Sequence, residues 1–170
     1  FWATKGFDAG SGELLSEFVD DMFPANFKSA VLTGPSFAKE VGKGLPTAVG
    51  IASSDIAYAK KIQDLFHCPS FRAYICDDVI GAQIGGALKN VIAIATGVSD
   101  GLDYGANSRA ALITRGLAEI QRLGLKYGAK AQTFMGLTGM GDLVLTCTDN
   151  QSRNRRFGLY LGQGASQDEA

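Results

Sequence analysis

Lys89 is the residue whose position most clearly indicates chemistry. It is the only ionisable side chain between Gly81 and Val98, in an otherwise apolar segment. An ammonium group there is expected to be buried, so it needs a carboxylate or a ligand as partner, and its pKa should fall unless that partner holds the charge. Such a group suits proton donation or acceptance. A lysine whose stem packs along a helix while its ammonium reaches solvent would give the same pattern.

A second cluster brings a hydroxyl, an amide and three guanidinium groups together over residues 151–156, with the sequence QSRNRR. It directly precedes an apolar helical segment, so Ser152 or Asn154 could cap a helix there. A helix N-terminus beside arginine side chains is typical of a phosphate or carboxylate site. A solvated basic turn has the same composition and is the alternative interpretation.

Two further segments carry weaker signals. Asp142 lies between Gly141 and the apolar run that starts at Leu143, so it could face inward and supply the negative charge that Lys89 needs. An aspartate in a turn or a helix cap is the alternative. Gly34-Pro35-Ser36 follows a predicted strand, at the kind of position where α/β proteins bind ligands, although most such loops are only turns.

Metal, disulfide and dinucleotide motifs are not indicated. His67 is the only histidine, and no ligand-spaced partners surround it. The three cysteines have no CxxC spacing, which fits a reducing cytoplasm: Cys68, Cys76 and Cys147. The Gly-x-Gly pairs at 10–12, 42–44 and 162–164 each lack the third glycine of a dinucleotide-binding loop.

The elements that must position these residues change in type along the chain. Helical and strand patterns alternate up to Asp78 and predict an α/β layer. The predicted strands are Lys28–Thr33, Pro46–Ala52 and Phe71–Cys76. The predicted helices are Glu13–Met22, a short helix that starts at Ser36 as its N-cap, and Ile56–Phe66. After Asp78 only long helical patterns follow, at Val79–Thr96 and Ala106–Tyr127. We therefore expect a domain boundary near Asp78.

Composition restricts the class of protein. A chain of 170 residues with 46% hydrophobic and 19% charged residues can bury a core. The formal charge is -1, which gives no field that would attract nucleic acid or an anionic membrane. The most apolar segment, Gly81–Val98, contains Lys89 and four glycines and is expected to be too interrupted for a membrane span. Any anion-binding site must therefore be local.

Three long segments carry a resemblance to a known family. They are GPSFAKEV, GGALKNVIAIATGVSDGLDYGANSRAALITRGLAEI and TFMGLTGMGDLVLTCTDNQSRNRRFG, and the similarity runs from about Ala3 to Gly164. Together they resemble bacterial NAD(P)-dependent glycerol-3-phosphate dehydrogenases. The resemblance implies that residues 1–78 are the C-terminal part of an α/β Rossmann-type domain that binds NAD(P). It implies that residues 79–170 are the N-terminal part of an all-α substrate-binding domain, in a fragment of a two-domain dehydrogenase.

The same resemblance implies roles for individual residues. Lys89 would be the catalytic lysine, with Asp142 as its catalytic partner. The substrate would be bound by eight residues, namely Lys5, Gly34, Ser36, Lys89, Asp142, Ser152, Arg153 and Asn154. The cofactor, NAD or NADP, would contact Lys5, Ala38 and Arg153.

The implied reaction is reversible hydride transfer between NAD(P)H and dihydroxyacetone phosphate, giving sn-glycerol 3-phosphate for the glycerophospholipid backbone. The enzyme would act in the cytoplasm on a small phosphorylated substrate, without nucleic acid or stable membrane insertion, and it could form a homodimer. We read both ends as cuts in a longer protein and expect the 170 residues alone to be inactive. The alternatives are a related hydroxy-acid dehydrogenase and a non-catalytic anion-binding or dimerisation module.

Overall fold

The first half of the chain alternates helices and strands. The computed structural model describes all residues from Phe1 to Ala170. The elements of this half are α1 (Leu15–Met22), β1 (Val31–Thr33), α2 (Ala38–Gly42), β2 (Thr47–Ala52), α3 (Ile56–Phe66) and β3 (Phe71–Cys76). The predicted helix at Ser36 begins two residues later, and its N-cap position is Phe37, so the proposed capping role of Ser36 is wrong.

The second half is helical. It contains α4 (Val79–Gly101), α5 (Gly105–Lys126), α6 (Ala131–Phe134), a π-helical turn at Leu137–Gly141, α7 (Asp142–Thr148) and α8 (Arg153–Gly162). The predicted pattern at Val79–Thr96 is the beginning of α4, which continues for one more turn. Because α4 packs against α5, α7 and α8, it is the central helix of this half.

The three strands form one mixed sheet in the order β1-β2-β3. β2 runs parallel to β3, with Thr47 opposite Phe71, and antiparallel to β1, with Val31 opposite Ala52. The sheet thus contains one antiparallel pair, whereas a Rossmann-type domain is built mostly from parallel strands.

The lengths of the connecting helices explain the mixed sheet. The eleven residues of α3 rise about 16 Å, enough to carry the chain back along β2 so that β3 starts beside its beginning. The five residues of α2 rise only about 7.5 Å, less than the length of β2 at about 20 Å. The chain therefore returns beside β1 in the opposite direction.

Asp78 connects the two halves. Its Oδ1 caps α4 by accepting from the Gly81 amide at 2.8 Å, while its Oδ2 accepts from the Lys130 amide at 2.8 Å and the Thr133 hydroxyl at 2.6 Å. A carboxylate at a helix N-terminus is stabilised by the unpaired amides there. The division at Asp78 into residues 1–78 and 79–170 stays a prediction, because the two halves also share packing.

Two main hydrophobic clusters form the core. The sheet cluster includes Val49 and Ile51 of β2 and Ile62 of α3. The helical cluster includes Ile84 of α4 and Phe134, and also Leu14, which comes from the first half of the chain and is 2% exposed. The packing of Leu14 therefore crosses the predicted boundary.

Helices α4 and α8 approach each other through glycines. A Cβ atom on Gly97 would lie 2.8 Å from the amide nitrogen of Leu159, and one on Gly101 would lie 2.8 Å from the Cα of Gly162. Real Cβ atoms do not come that close to backbone atoms. Glycine at these positions, and at Gly158 and Gly162 on the facing helix, therefore permits backbone contact between the two helices.

By length and composition alone, α4 could cross a membrane, with a mean hydropathy of 1.4 over its most apolar 18 residues. This differs from the expectation that Lys89 and the glycines interrupt the apolar run. A central core helix has the same properties, and 56% of that stretch is buried in the fold. Its apolar character is thus explained by packing against the other helices.

Candidate active site

Lys89 and Asp142 form a buried ion pair between α4 and α7. The Nζ atom of Lys89 donates a hydrogen bond to Oδ1 of Asp142 at 2.5 Å. Only 10% of the Lys89 side chain and 2% of the Asp142 side chain are exposed, so the lysine does not reach along the helix to solvent. The structure brings together the two residues that the sequence suggested as partners.

Thr146 completes this pair and was missed by the sequence analysis. Its hydroxyl accepts a hydrogen bond from Nζ of Lys89 at 3.0 Å and donates one to the main-chain oxygen of Asp142 at 2.6 Å. Residues four apart lie on the same face of a helix, so Asp142 and Thr146 both face α4. That spacing is the signal from which Thr146 could have been found.

The charge state of Lys89 reflects opposing effects. Burial lowers the pKa of Lys89 below its ordinary value, and the attraction and hydrogen bond of Asp142 offset this only in part. The positive charge of Lys5 lowers the pKa further. An amine with a lowered pKa releases its proton more readily than an exposed lysine does.

Lys5 lies beside Lys89 because α4 has a glycine at the contact. A Cβ atom on Gly86 would be 3.3 Å from Cγ of Lys5, so the stem of Lys5 crosses α4 at this position. Gly86 precedes Lys89 by three residues and therefore shares its face of the helix. The structure thus places two predicted site lysines next to each other.

The π-helical turn sets the position of Asp142. It is held between the sheet and α4, since a Cβ atom on Gly50 of β2 would be 2.5 Å from Cγ2 of Thr138, and one on Gly85 of α4 would be 2.6 Å from the Thr138 oxygen. Single π-helical turns are frequent at functional sites because they redirect the residues that follow. Here the turn delivers Asp142 as the first residue of α7.

Gly34 and Ser36 lie in the loop after β1. Gly34 has a φ of +129°, which side chains other than glycine rarely adopt, and a Cβ atom on it would be 3.2 Å from the Cα of Val49. The hydroxyl of Ser36 donates to the carbonyl oxygen of Gly34 at 3.1 Å. The backbone of Gly34 therefore lies directly against β2, and the hydrogen bond from Ser36 stabilises the turn.

Ala38 and Arg153, both predicted to contact the cofactor, line one cavity of about 530 Å³. Lys39 and Arg156 also line this cavity, and Asp149 is its only acidic residue. Arg153 takes part in none of the ion pairs within the chain. A cavity with this excess of positive charge fits the phosphate groups of a dinucleotide.

Ser152 and Asn154 flank Arg153 at the start of α8. Ser152 is buried, and its hydroxyl accepts from the Arg155 amide at 3.2 Å, so it is the helix cap that the sequence suggested. The Ser152 hydroxyl therefore already accepts a hydrogen bond from within the protein. Asn154 is half-buried in the first turn.

Arg155 differs from the other two arginines of the cluster. It is 7% exposed and donates to the main-chain oxygen of Cys147 at 3.1 Å, to the side-chain oxygen of Asn150, and to Asp100. The sequence alone does not distinguish it from Arg153 and Arg156, because three neighbouring arginines look alike. The available signal was spacing, since Arg155 precedes Gly158 by three residues and so shares the face of α8 that contacts α4.

No group of three or more histidine, cysteine or acidic side chains is placed to hold a metal ion. The remaining binding features are the Lys89 pair, the loop at Gly34 and the basic cavity at Arg153. By their chemistry, the Lys89 pair can exchange a proton, and the basic cavity can bind an anion.

The chain is similar to bacterial enzymes along nearly its whole length. It is 63% identical over 168 residues to the glycerol-3-phosphate dehydrogenase (NAD(P)+) of Francisella philomiragia, and 58% identical over 170 residues to that of Actinobacillus pleuropneumoniae serotype 5b. These alignments cover 99% of the chain but only 50% and 51% of the relatives. The chain therefore spans about half the length of the curated relatives it matches.

A solved structure has the same fold. The crystal structure of glycerol-3-phosphate dehydrogenase from Coxiella burnetii matches with a TM-score of 0.95 and 53% sequence identity. The match covers 99% of this chain and 51% of that one. The fold of this chain thus matches about half of a known structure.

Two family models match, and their order corrects the predicted fold class. The model of the NAD-dependent glycerol-3-phosphate dehydrogenase N-terminus matches residues 1–59, and the model of the C-terminus matches residues 78–170. The prediction had labelled the first segment a C-terminal part and the second an N-terminal part. The family's N-terminus comes first, and its helical C-terminus comes second. The second model alone covers more than half of the chain, which belongs to the NAD-dependent glycerol-3-phosphate dehydrogenase family.

Proposed function

We propose that the protein carrying this chain reduces dihydroxyacetone phosphate to sn-glycerol 3-phosphate with NAD(P)H, and catalyses the reverse reaction. The observation that carries the proposal is the buried ion pair between Lys89 and Asp142. A charged pair in the centre of a helical core costs desolvation energy, and it is better explained by use in chemistry than by stability. The names of the relatives supply the substrate and the cofactor.

The proposed chemistry of Lys89 is proton transfer at the substrate oxygen. A nicotinamide cofactor held by Lys5, Ala38 and Arg153 would supply the hydride for reduction of the carbonyl carbon. The carbonyl oxygen then carries negative charge and takes a proton from Nζ of Lys89, which becomes a neutral amine. Burial favours this direction because it already disfavours the charged ammonium.

Asp142 and Thr146 orient the proton donor. With two acceptors at 2.5 and 3.0 Å, Nζ of Lys89 has one remaining N–H direction for a substrate. The second carboxylate oxygen of Asp142, Oδ2, is buried and accepts no hydrogen bond from the protein. A buried free acceptor is costly, so we assign it to a hydroxyl group of the substrate.

The phosphate group of the substrate is assigned to the start of α8. Arg153 and Asn154 lie in the first turn of this helix of ten residues, where free amides and a positive dipole favour anions. The substrate pocket would be completed by Lys5, Gly34, Ser36 and Ser152, the N-cap residue of α8. Lys5, Ala38 and Arg153 would contact the cofactor, whose phosphate groups fit the basic cavity.

The test is reduction of dihydroxyacetone phosphate by a full-length enzyme carrying this chain, followed by the loss of NADH or NADPH absorbance. We expect much higher kcat/KM with this substrate than with unphosphorylated 2-hydroxy acids or their keto forms. Comparable activity on those acids would favour the hydroxy-acid dehydrogenase, and no oxidation of either cofactor would favour a non-catalytic module. A cytoplasmic location and a homodimer are further proposals, which cell fractionation and sedimentation would test.

A further inference from the structure

Arg155 ties the first turn of α8 to three other parts of the fold. Its Nε donates to the main-chain oxygen of Cys147 in α7 at 3.1 Å, and its two terminal nitrogens donate to Asn150 in the preceding loop and to Asp100 near the end of α4. Its own amide donates to the Ser152 cap. One guanidinium group therefore holds both sides of the turn in which Arg153 and Asn154 lie.

Asp100 is an unusual anchor for this contact. A carboxylate in the last turn of a helix is disfavoured by the negative end of the helix dipole. Asp100 is nevertheless 9% exposed in its side chain, and it binds a second arginine, because Nη1 of Arg109 donates to both of its oxygens at 2.9 Å. Two guanidinium groups thus bind this buried carboxylate.

The glycine contact between α4 and α8 gives the ion pair between Arg155 and Asp100 a role beyond stability. Gly97 and Gly101 face Gly158 and Gly162, and glycine surfaces have no side chains that interlock. Buried ionic pairs often contribute little to stability, and their best-supported use is to fix the register of packed helices.

The register of α8 on α4 also fixes a distance that the proposed reaction needs. Lys89 precedes Asp100 by eleven residues on the same helix, a rise of about 16 Å. α7 is joined to α4 by the Asp142–Lys89 pair and to α8 by the contact between Cys147 and Arg155. Both ends of the proposed substrate site therefore depend on α4.

We propose that Arg155, through Asp100, is a positioning residue that places the phosphate-binding turn of α8 relative to Lys89. This inference rests on the proposed function for its substrate. Arg155 does not touch the substrate; it determines where Arg153 and Asn154 hold the phosphate group.

Asp100→Asn in a full-length enzyme carrying this chain tests the proposal, because it keeps the size of the side chain and removes its charge. We expect KM for dihydroxyacetone phosphate to rise at least about tenfold while kcat stays within about threefold. The affinity for inorganic phosphate, measured by calorimetry, should fall by a similar factor. Glu119→Gln is the matched control, since it neutralises the acid of the exposed pair with Arg122 and should change neither value.

Dihydroxyacetone, which lacks the phosphate group, separates positioning from general damage. Its kcat/KM should stay within about twofold in Asp100→Asn, because loss of phosphate placement affects only the phosphorylated substrate. Equal losses with both substrates, or unchanged phosphate affinity in a folded variant, would overturn the proposal. Wild-type protein that binds phosphate but does not reduce dihydroxyacetone phosphate would refute the proposed function, and the phosphate affinities would still decide the role of Arg155.

Arg155→Lys decides the question if Asp100→Asn does not fold. Lysine keeps a positive charge beside Asp100 but lacks the planar fork that reaches Cys147 and Asn150 as well. We expect a melting temperature near that of the wild type, together with a clear rise in KM for dihydroxyacetone phosphate. A folded Arg155→Lys enzyme with wild-type KM and phosphate affinity contradicts the proposed positioning role.

Discussion

At the scale of single residues, the ammonium group of Lys89 is the centre of the site. Burial lowers the pKa of this group, Asp142 raises it, and the positive charge of Lys5 lowers it. The group therefore gives up its proton more easily than a surface lysine, but it retains two fixed acceptors that keep it in place. A proton donor needs both properties.

Lys89→Met tests this role directly, because methionine keeps much of the length and removes the charge. We expect kcat for dihydroxyacetone phosphate to fall by about 10² to 10⁴. The fold should survive, although Asp142 loses its partner, and circular dichroism with a melting curve would check this. Lys126→Met, at an exposed lysine of α5, is the control and should keep kcat. Near-normal kcat in folded Lys89→Met would exclude the catalytic role.

The pH dependence of reduction follows from the lowered pKa of Lys89. Lysine must be protonated to donate, so kcat/KM should decline as pH rises through this lowered pKa, at a lower pH than for an ordinary lysine. Asp142 supports the ammonium form, so Asp142→Asn should move the decline to still lower pH. Rate profiles of the two enzymes over the same pH range would measure the shift. A decline at the same pH in both would mean that Lys89 does not control it.

Arg153→Ala tests the assignment of the phosphate group. Charge-assisted hydrogen bonds contribute about 1.5 to 3 kcal/mol each, so KM for dihydroxyacetone phosphate should rise at least about tenfold. Arg122→Ala, at the exposed pair with Glu119, should leave KM unchanged. Steady-state kinetics at saturating cofactor separates the two expectations. An unaltered KM in Arg153→Ala would place the phosphate site elsewhere.

The sequence predicted the central members of this site because they are chemically unusual in their surroundings. A lone lysine in an apolar helix and an aspartate among glycines stand out by type. Thr146 and Arg155 do not stand out, since threonine is common in helices and three neighbouring arginines look alike. Only the face of the helix distinguishes them, and that depends on where α7 and α8 pack.

At the scale of elements, the helices were easier to predict than the sheet. The bounds of α3 and β3 agree with the pattern because capping residues and apolar runs are local signals. The direction of β1 could not be predicted, because it depends on the length of α2, which begins at Ala38 rather than at Ser36. The π-helical turn has no local sequence pattern, and its Thr138 packs closely against Gly50 and Gly85, which are distant from it in sequence.

Gly97→Ala and Gly158→Ala test the close contact of α4 and α8. A Cβ atom at either position would overlap backbone of the facing helix, so both variants should lose at least about 1 to 3 kcal/mol of unfolding free energy, as overpacked cores do. Gly42→Ala in α2 is the control, since no atom lies within 4 Å of its Cβ position. Urea unfolding of the three variants gives the comparison. Wild-type stability in Gly97→Ala would show that α8 can move away without cost.

At the scale of the whole molecule, we expect the 170 residues to carry one side of a cofactor site. Ala38 and Arg153 line a basic cavity, but the chain contains no GxGxxG loop to bind a diphosphate with backbone amides. We therefore expect these residues alone to bind NADH and NADPH only weakly, with dissociation constants well above those of a full-length enzyme. A fluorescence titration of both proteins would measure this. Equal affinity would mean that the basic cavity is sufficient for binding.

The buried position of Leu14 has a consequence for how the molecule unfolds. Leu14 precedes the sheet in sequence yet fills space among helices that come after it, and Asp78 ties the same two regions with three hydrogen bonds. Loosening either half would expose apolar surface or break polar contacts in the other. We therefore expect the two halves to unfold together, in a single transition of a melting curve, although the sequence changes from strands to helices between them.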